Sequence, residues 1–149
     1  MMTARRDQMR QYQGLQFIPG NPRQNEARAL IEAARRLADA QKLTESATRE
    51  DKESVQAALR LNWRLWTILQ VEALSDDNPN PKEIRTNILK LSIFVDDRTV
   101  DILFDPKPPK FDMLIKINRE VAQGLLAAKD AQPGVVPAAE SPVRSIAPV

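Results

Sequence analysis

Cysteine and histidine are both absent from the 149-residue chain. Their absence excludes disulfide bonds, Cys/His zinc sites, thiol nucleophiles and imidazole acid–base chemistry. Glycine is scarce as well, and the four glycines do not form a glycine-rich phosphate-binding loop. We therefore expect no catalytic site, no metal site and no cofactor, and we interpret the chain as a protein that is not an enzyme.

Aromatic residues and long apolar runs are also scarce. Aromatic side chains make up 5% of the chain, which argues against an all-β domain. No apolar run reaches the roughly 20 residues of a membrane span, and the N-terminal sequence lacks the apolar segment of a secretory signal. The 22 basic and 20 acidic residues nearly balance, which weakens the case for direct nucleic-acid binding. These features predict a cytoplasmic protein without membrane contact.

Four segments repeat apolar residues at the i, i+3, i+4 and i+7 spacing of one helical face. Two of them begin with an Asn-Pro pair, Asn21-Pro22 and Asn80-Pro81, in which Asn suits the N-cap and Pro the first helical position. The predicted fold is therefore all-α, a small antiparallel bundle of about four helices with short connections. The predicted helices run from 22 to about 43, from Ser46 or Thr48 to Leu74, from 81 to about 104, and from about 110 to 129.

The two ends of the chain differ in composition from the helical part. Residues 1–20 contain the densest basic cluster and are expected to form a flexible basic segment; the cluster is Arg5, Arg6 and Arg10. Residues 130–149 are rich in proline, alanine and valine, a composition that cannot propagate a helix and predicts a disordered tail. The helical domain is therefore predicted to cover residues 21–129.

The second predicted helix is apolar around most of its circumference, which is typical of a helix at the centre of a bundle. Trp63 and Trp66 share one side of it, where core packing is the simpler interpretation and a partner contact the alternative. Asn118 falls within the apolar stripe of the fourth helix, so we expect its amide to be hydrogen-bonded in the core. The residues assigned to the core are Leu59, Trp63, Trp66, Leu69, Ile115, Asn118 and Leu125.

The third predicted helix carries a second apolar stripe almost opposite its main one, with aspartates beside it. This stripe is either buried in a sandwiched helix or exposed as a docking site for an amphipathic partner helix. On the second helix, Arg60 and Arg64 occupy the polar strip, either as a solvated ion-paired edge or as a charge contact with a partner. The aspartates are Asp96, Asp97 and Asp101. The candidate partner-binding residues are Leu89, Ile93, Val100, Phe104, Arg60 and Arg64.

Three stretches of the sequence are informative together because of their order and spacing. They are NPRQNEARALIEAARRL at residues 21–37, RLWTILQVEAL at 64–74 and FDMLIKINREVAQGLL at 111–126. With Tyr12 near the N-terminus, they resemble the FlaF family of flagellar biosynthesis regulators from alphaproteobacteria, over roughly residues 10–127.

The resemblance implies a cytoplasmic protein that is needed for flagellin production and secretion and that binds flagellin as an export chaperone or assembly factor. The alternative is a post-transcriptional regulator of flagellin mRNA translation, acting through RNA or through an RNA-binding partner. Direct contact with RNA is the weaker form of this alternative, because the net charge is only +2. A homodimer formed through the third helix stays open as a further alternative.

Overall fold

The computed structural model describes residues 21–128, and these residues form four α-helices and no strand. Helix α1 spans Pro22–Gln41, α2 spans Arg49–Ala73, α3 spans Lys82–Phe104 and α4 spans Pro108–Ala127. The predicted all-α fold of four helices is confirmed. The predictions of a flexible segment at residues 1–20 and of a disordered tail at 130–149 lie outside the described residues.

The start of α1 follows the predicted capping chemistry, whereas the start of α3 does not. The Asn21 side chain accepts a hydrogen bond of 3.2 Å from a backbone N–H of the first turn, and Pro22 follows in the first helical position. At α3 the N-cap is Pro81 itself, without a side-chain hydrogen bond, so the predicted start is wrong by one residue. Asn80 instead ends the preceding turn: its N–H donates to the Asn78 side chain at 2.8 Å, and its own Oδ1 has no hydrogen-bond partner among the described residues.

The starts of α2 and α4 can also be explained by particular residues. Thr48 caps α2, since its hydroxyl accepts a hydrogen bond of 3.3 Å from the Asp51 N–H. Helix α4 begins at Pro108, two residues before the predicted Lys110. Prolines are tolerated in the first turn because those N–H groups have no helical partner to lose. The proline run therefore opens α4 as well as ending α3.

Neighbouring helices are antiparallel and pack in a closed ring in which α1 also contacts α4. The α1–α4 contact is the most extensive of the bundle. At one end the Arg23 guanidinium donates to the Ala128 carbonyl, and at the other Gln41 Nε2 donates to the Pro108 carbonyl at 2.6 Å. The buried face of α1 is rich in alanine and Gly124 is buried on α4, so small residues allow close packing of these helices.

A single hydrophobic core receives side chains from all four helices. Helix α2 is not its central helix, because a ring of four helices leaves each one an outward face. On the outward face of α2, Ile68, Val71 and Leu74 are 43%, 64% and 67% exposed, so the prediction of a central α2 is wrong. The largest fully buried side chains include Trp66, Phe111, Leu59, Leu69 and Leu125.

Candidate partner-binding surface

The second apolar stripe of α3 lies mostly on the outside of the bundle. Ile93 is 63% exposed, Val100 40% and Phe104 87%, while Leu89 is half-buried and packs against the core. The main stripe on the other side of α3 is buried; it consists of Ile84, Ile88, Leu91, Val95 and Ile102. The second stripe of α3 is therefore mostly exposed, and α3 is not sandwiched between other helices.

Two hydrogen bonds fix the antiparallel register of α2 and α3. Trp63 Nε1 donates to Asp96 Oδ1 at 2.8 Å in the middle of the pair. Nearer the connecting turn, Arg85 Nη1 donates to the Ser75 carbonyl at 3.4 Å. Because both helices rise 1.5 Å per residue, these bonds determine which positions of α2 lie level with which positions of α3.

Apolar residues of α2 continue the α3 stripe towards the connecting turn. In the antiparallel register Val71 lies level with Leu89, and Leu74 follows one turn further along α2. From Leu89 to Phe104 alone, the stripe is about 22 Å long. We call this surface the docking stripe; it consists of Leu74, Val71, Leu89, Ile93, Val100 and Phe104. Several large apolar side chains exposed along one face are a candidate protein interaction site.

Trp63 lies at the seam between α2 and α3, beside the docking stripe. It is half-buried and not in the core, where the sequence interpretation had assigned it. Its indole N–H needs an acceptor, and the Asp96 carboxylate at the edge of α3 provides one. Asp96, which had been expected to rim the partner site, therefore joins the two helices that form the site.

Charged residues of opposite sign flank the docking stripe. Arg60 and Arg64 are exposed on α2, one helical turn apart, and Asp97 is exposed on the far side of α3. Asp101 lies one turn beyond Asp97 and forms an ion pair of 3.0 Å with Lys110, so part of its charge is neutralised within the bundle. The structure thus brings the predicted arginines and the predicted apolar stripe to the same face.

Asn118 is at the centre of a buried hydrogen-bond network that joins three helices. Its Oδ1 accepts from Trp66 Nε1 at 2.9 Å, and its Nδ2 donates to Asn62 Oδ1 at 2.6 Å and to the Leu30 carbonyl at 3.3 Å. Asn118 is thus hydrogen-bonded in the core, as expected from its sequence position. Asn62 was not predicted as a core residue, because it is a polar residue within an apolar run. Its Nδ2 has no hydrogen-bond partner among the described residues.

A pair of carboxyl groups at one end of the bundle, one half-buried and the other exposed, was also missed. Glu26 of α1 is hydrogen-bonded to Glu72 of α2, beside a cleft of about 220 Å³. Burial, together with the hydrogen bond and the charge of Glu72, raises the pKa of Glu26 to about 9, although Arg23 opposes the shift. Helical spacing could have predicted the partial burial of Glu26, since it precedes the core residue Leu30 by one turn and so lies on the same face of α1.

The described part of the chain has neither a metal-binding cluster nor a membrane-spanning helix. Within residues 21–128, no group of three or more acidic side chains is arranged to hold a metal ion. No helix in this range is both long and apolar enough to span a bilayer. The prominent surface feature of the described residues is the docking stripe with its charged edges.

The described residues thus form a small antiparallel helical bundle with an apolar stripe exposed on its outer face. Residues 8–125 match the family model described as flagellar protein FlaF, and the chain belongs to this family. It is therefore a flagellar protein, which confirms the resemblance carried by its three sequence stretches. Comparisons with curated proteins and with solved structures gave no match.

Proposed function

We propose that this FlaF-family protein binds flagellin in the cytoplasm before export, as a chaperone or assembly factor, without a chemical step. The single observation that carries the proposal is the docking stripe. Phe104 is 87% exposed. Covering its apolar side chain with a partner would lower the free energy of the system, because apolar surface is removed from water. The opposite face of α3 is buried in the core, so Phe104 is exposed although it belongs to a well-packed helix.

The physical role of the protein would be to cover an apolar helix face. Flagellin ends are amphipathic helices that coil together in the filament, and unassembled chains expose the same faces to water. The α2–α3 pair can accept such a helix along the docking stripe, which adds one helix to the existing bundle. Binding must be reversible, because the filament needs the same face of flagellin.

Co-expression with flagellin followed by size-exclusion chromatography tests this function. We expect flagellin to co-elute with the wild-type chain. Ile93→Asp should weaken the complex at least tenfold, since a carboxylate is desolvated against apolar side chains. The matched control is Ile31→Asp, which places the same change on an exposed isoleucine of α1. Absence of flagellin from the wild-type peak would contradict the proposal.

Regulation of flagellin mRNA translation is the second candidate function. The observation in its favour is that Arg60 and Arg64 lie beside the half-buried Trp63, which combines positive charge with an aromatic ring. The described residues are balanced in charge, however, and one partly accessible ring offers little stacking surface. Co-elution of RNA, or of an RNA-binding protein, in place of flagellin would favour this function.

A further inference from the structure

The charges along the docking stripe specify the chemistry of its occupant. We infer that the stripe binds one amphipathic helix whose two flanks carry opposite charge, with the acidic flank against α2 and the basic flank against α3. The identification of this helix as part of flagellin rests on the function proposed above. The charge pattern itself rests only on the residues of the stripe and its edges.

The shape of the surface fits a single helix. Packed helices lie about 8–10 Å apart, so a third helix seated over the seam between two of them contacts both. The Trp63–Asp96 hydrogen bond closes this seam and forms its floor. Ile93 and Val100 lie beside the floor on α3, where a third helix would bury them. The apolar contact is therefore about one helix wide and has charged side chains along both sides.

The two edges differ in sign along the same stretch of the seam. Counted from the Trp63–Asp96 bond, Arg60 and Arg64 lie level with the part of α3 that carries Asp97. A helix bound there presents one flank to the guanidinium groups and the other to a carboxylate. Uniformly charged flanks would place a like charge against one edge, which is unfavourable.

Lys90 limits the length of this bipolar region. It is exposed on the same side of α3 as Asp97, two turns closer to the connecting turn, and reverses the sign of that edge. The opposite charges therefore face each other only around Asp97, over the stretch that lies level with Arg60 and Arg64, about 6 Å along the helix axis. This corresponds to about one turn of a bound helix, and the remaining contact towards Leu74 is predominantly apolar.

Three synthetic helical peptides test the inferred charge pattern. Each has about 18 residues, enough for a helix of about 27 Å, and all three share the same leucine face. One peptide carries Glu on one flank and Lys on the other, the second Glu on both flanks and the third Lys on both. Titration of the full chain at low ionic strength, followed by fluorescence anisotropy, should show the bipolar peptide bound about tenfold more tightly than either uniform peptide.

A charge reversal on α2 identifies the edge that causes the preference. In the double variant Arg60→Glu/Arg64→Glu both edges are acidic, so the Lys peptide should become the tightest ligand. The matched control is Lys42→Glu/Arg119→Glu, which changes the net charge equally at exposed positions of the α1–α2 connection and of α4. This control should keep the preference for the bipolar peptide.

Three outcomes would overturn the inference. The first is equal affinity for all three peptides, and the second is an unchanged preference in the Arg60→Glu/Arg64→Glu variant. The third is concentration-dependent dimerisation of the wild-type chain that Ile93→Asp abolishes, because a second copy would then occupy the stripe. Sedimentation of both chains without peptide measures this directly.

Binding of full-length flagellin, measured in parallel, separates the inference from the proposed function. If flagellin does not bind while the peptides show the expected preferences, the proposed function is wrong and the inference about the stripe is supported. If Ile93→Asp abolishes flagellin binding but the Arg60→Glu/Arg64→Glu variant binds flagellin normally, the proposed function is supported and the inference is wrong.

Discussion

The indole N–H of Trp66 donates a 2.9 Å hydrogen bond to Oδ1 of Asn118, although 52 positions separate the two residues in the sequence. Both side chains are fully buried, so the bond replaces hydration that neither group can regain in the folded state. It connects α2 to α4 across the bundle, and the Asn118 amide continues the connection to the Leu30 carbonyl of α1. Such a bond favours one axial register of these helices over others that an apolar core alone would tolerate.

Asn118→Leu should be strongly destabilising despite the similar size of the two side chains. The substitution leaves the Trp66 N–H and the Asn62 carbonyl oxygen buried without partners, and each unsatisfied group costs about 1–3 kcal/mol. We expect the free energy of unfolding, measured in urea, to fall by several kcal/mol. Gln123→Leu is the control, because it changes an exposed amide of the same helix and should shift stability by less than about 0.5 kcal/mol.

The two tryptophans should respond differently to truncation. Trp66 is fully buried, so Trp66→Ala should cost about 3–5 kcal/mol, the range for large aromatic residues in a core. Trp63 is half-buried at the seam, and Trp63→Ala should cost clearly less. Urea unfolding of both variants measures the difference. Equal losses would mean that Trp63 contributes to the core as much as Trp66 does.

The local parts of this fold could be predicted from the sequence. The Asn21 cap, the four helices and the hydrogen-bonded Asn118 depend on residues close in sequence or on a polar residue within an apolar stripe. Helix length and periodicity carry this information because they reflect the geometry of a single helix.

The features that could not be predicted from the sequence depend on how the four helices pack against one another. Whether Ile93 is buried depends on how many helices pack against α3, and in a ring of four its outer face stays free. Trp63 lies at the seam and not in the core, because the α2–α3 register places Asp96 there as an acceptor for its indole N–H. Glu26 meets Glu72 only because α1 and α2 are antiparallel neighbours. Each of these contacts joins residues of different helices, about which periodicity within one helix says nothing.

The raised pKa of Glu26 predicts a pH-dependent stability. In the unfolded chain its carboxyl titrates near its ordinary value of 4.5, whereas in the folded chain its pKa is about 9. Between these values the folded state binds the additional proton, so stability falls as pH rises, by at most about 1.4 kcal/mol per pH unit. Below the unfolded value this contribution is constant and the group causes no further change.

Urea unfolding at several pH values between 5 and 9 measures this slope. Glu26→Gln keeps a neutral hydrogen-bonding side chain at all these pH values, so it should flatten the profile and stabilise the protein at alkaline pH. Glu45→Gln is the control, because Glu45 is exposed in the connection between α1 and α2. A wild-type profile that is flat over this range would show that the folded state does not hold the extra proton.

The last prediction concerns the docking stripe in the free protein. Ile93 is 63% exposed, so Ile93→Asp should leave helix content and melting temperature almost unchanged in the absence of a partner. Leu91→Asp, two residues earlier on the buried face of the same helix, should unfold the bundle because it places a charge in the core. Circular dichroism melts of the two variants compare them directly. If Ile93→Asp also unfolds the chain, another part of the protein covers the stripe; if it is stable and binds flagellin with unchanged affinity, the α3 stripe is not the binding surface.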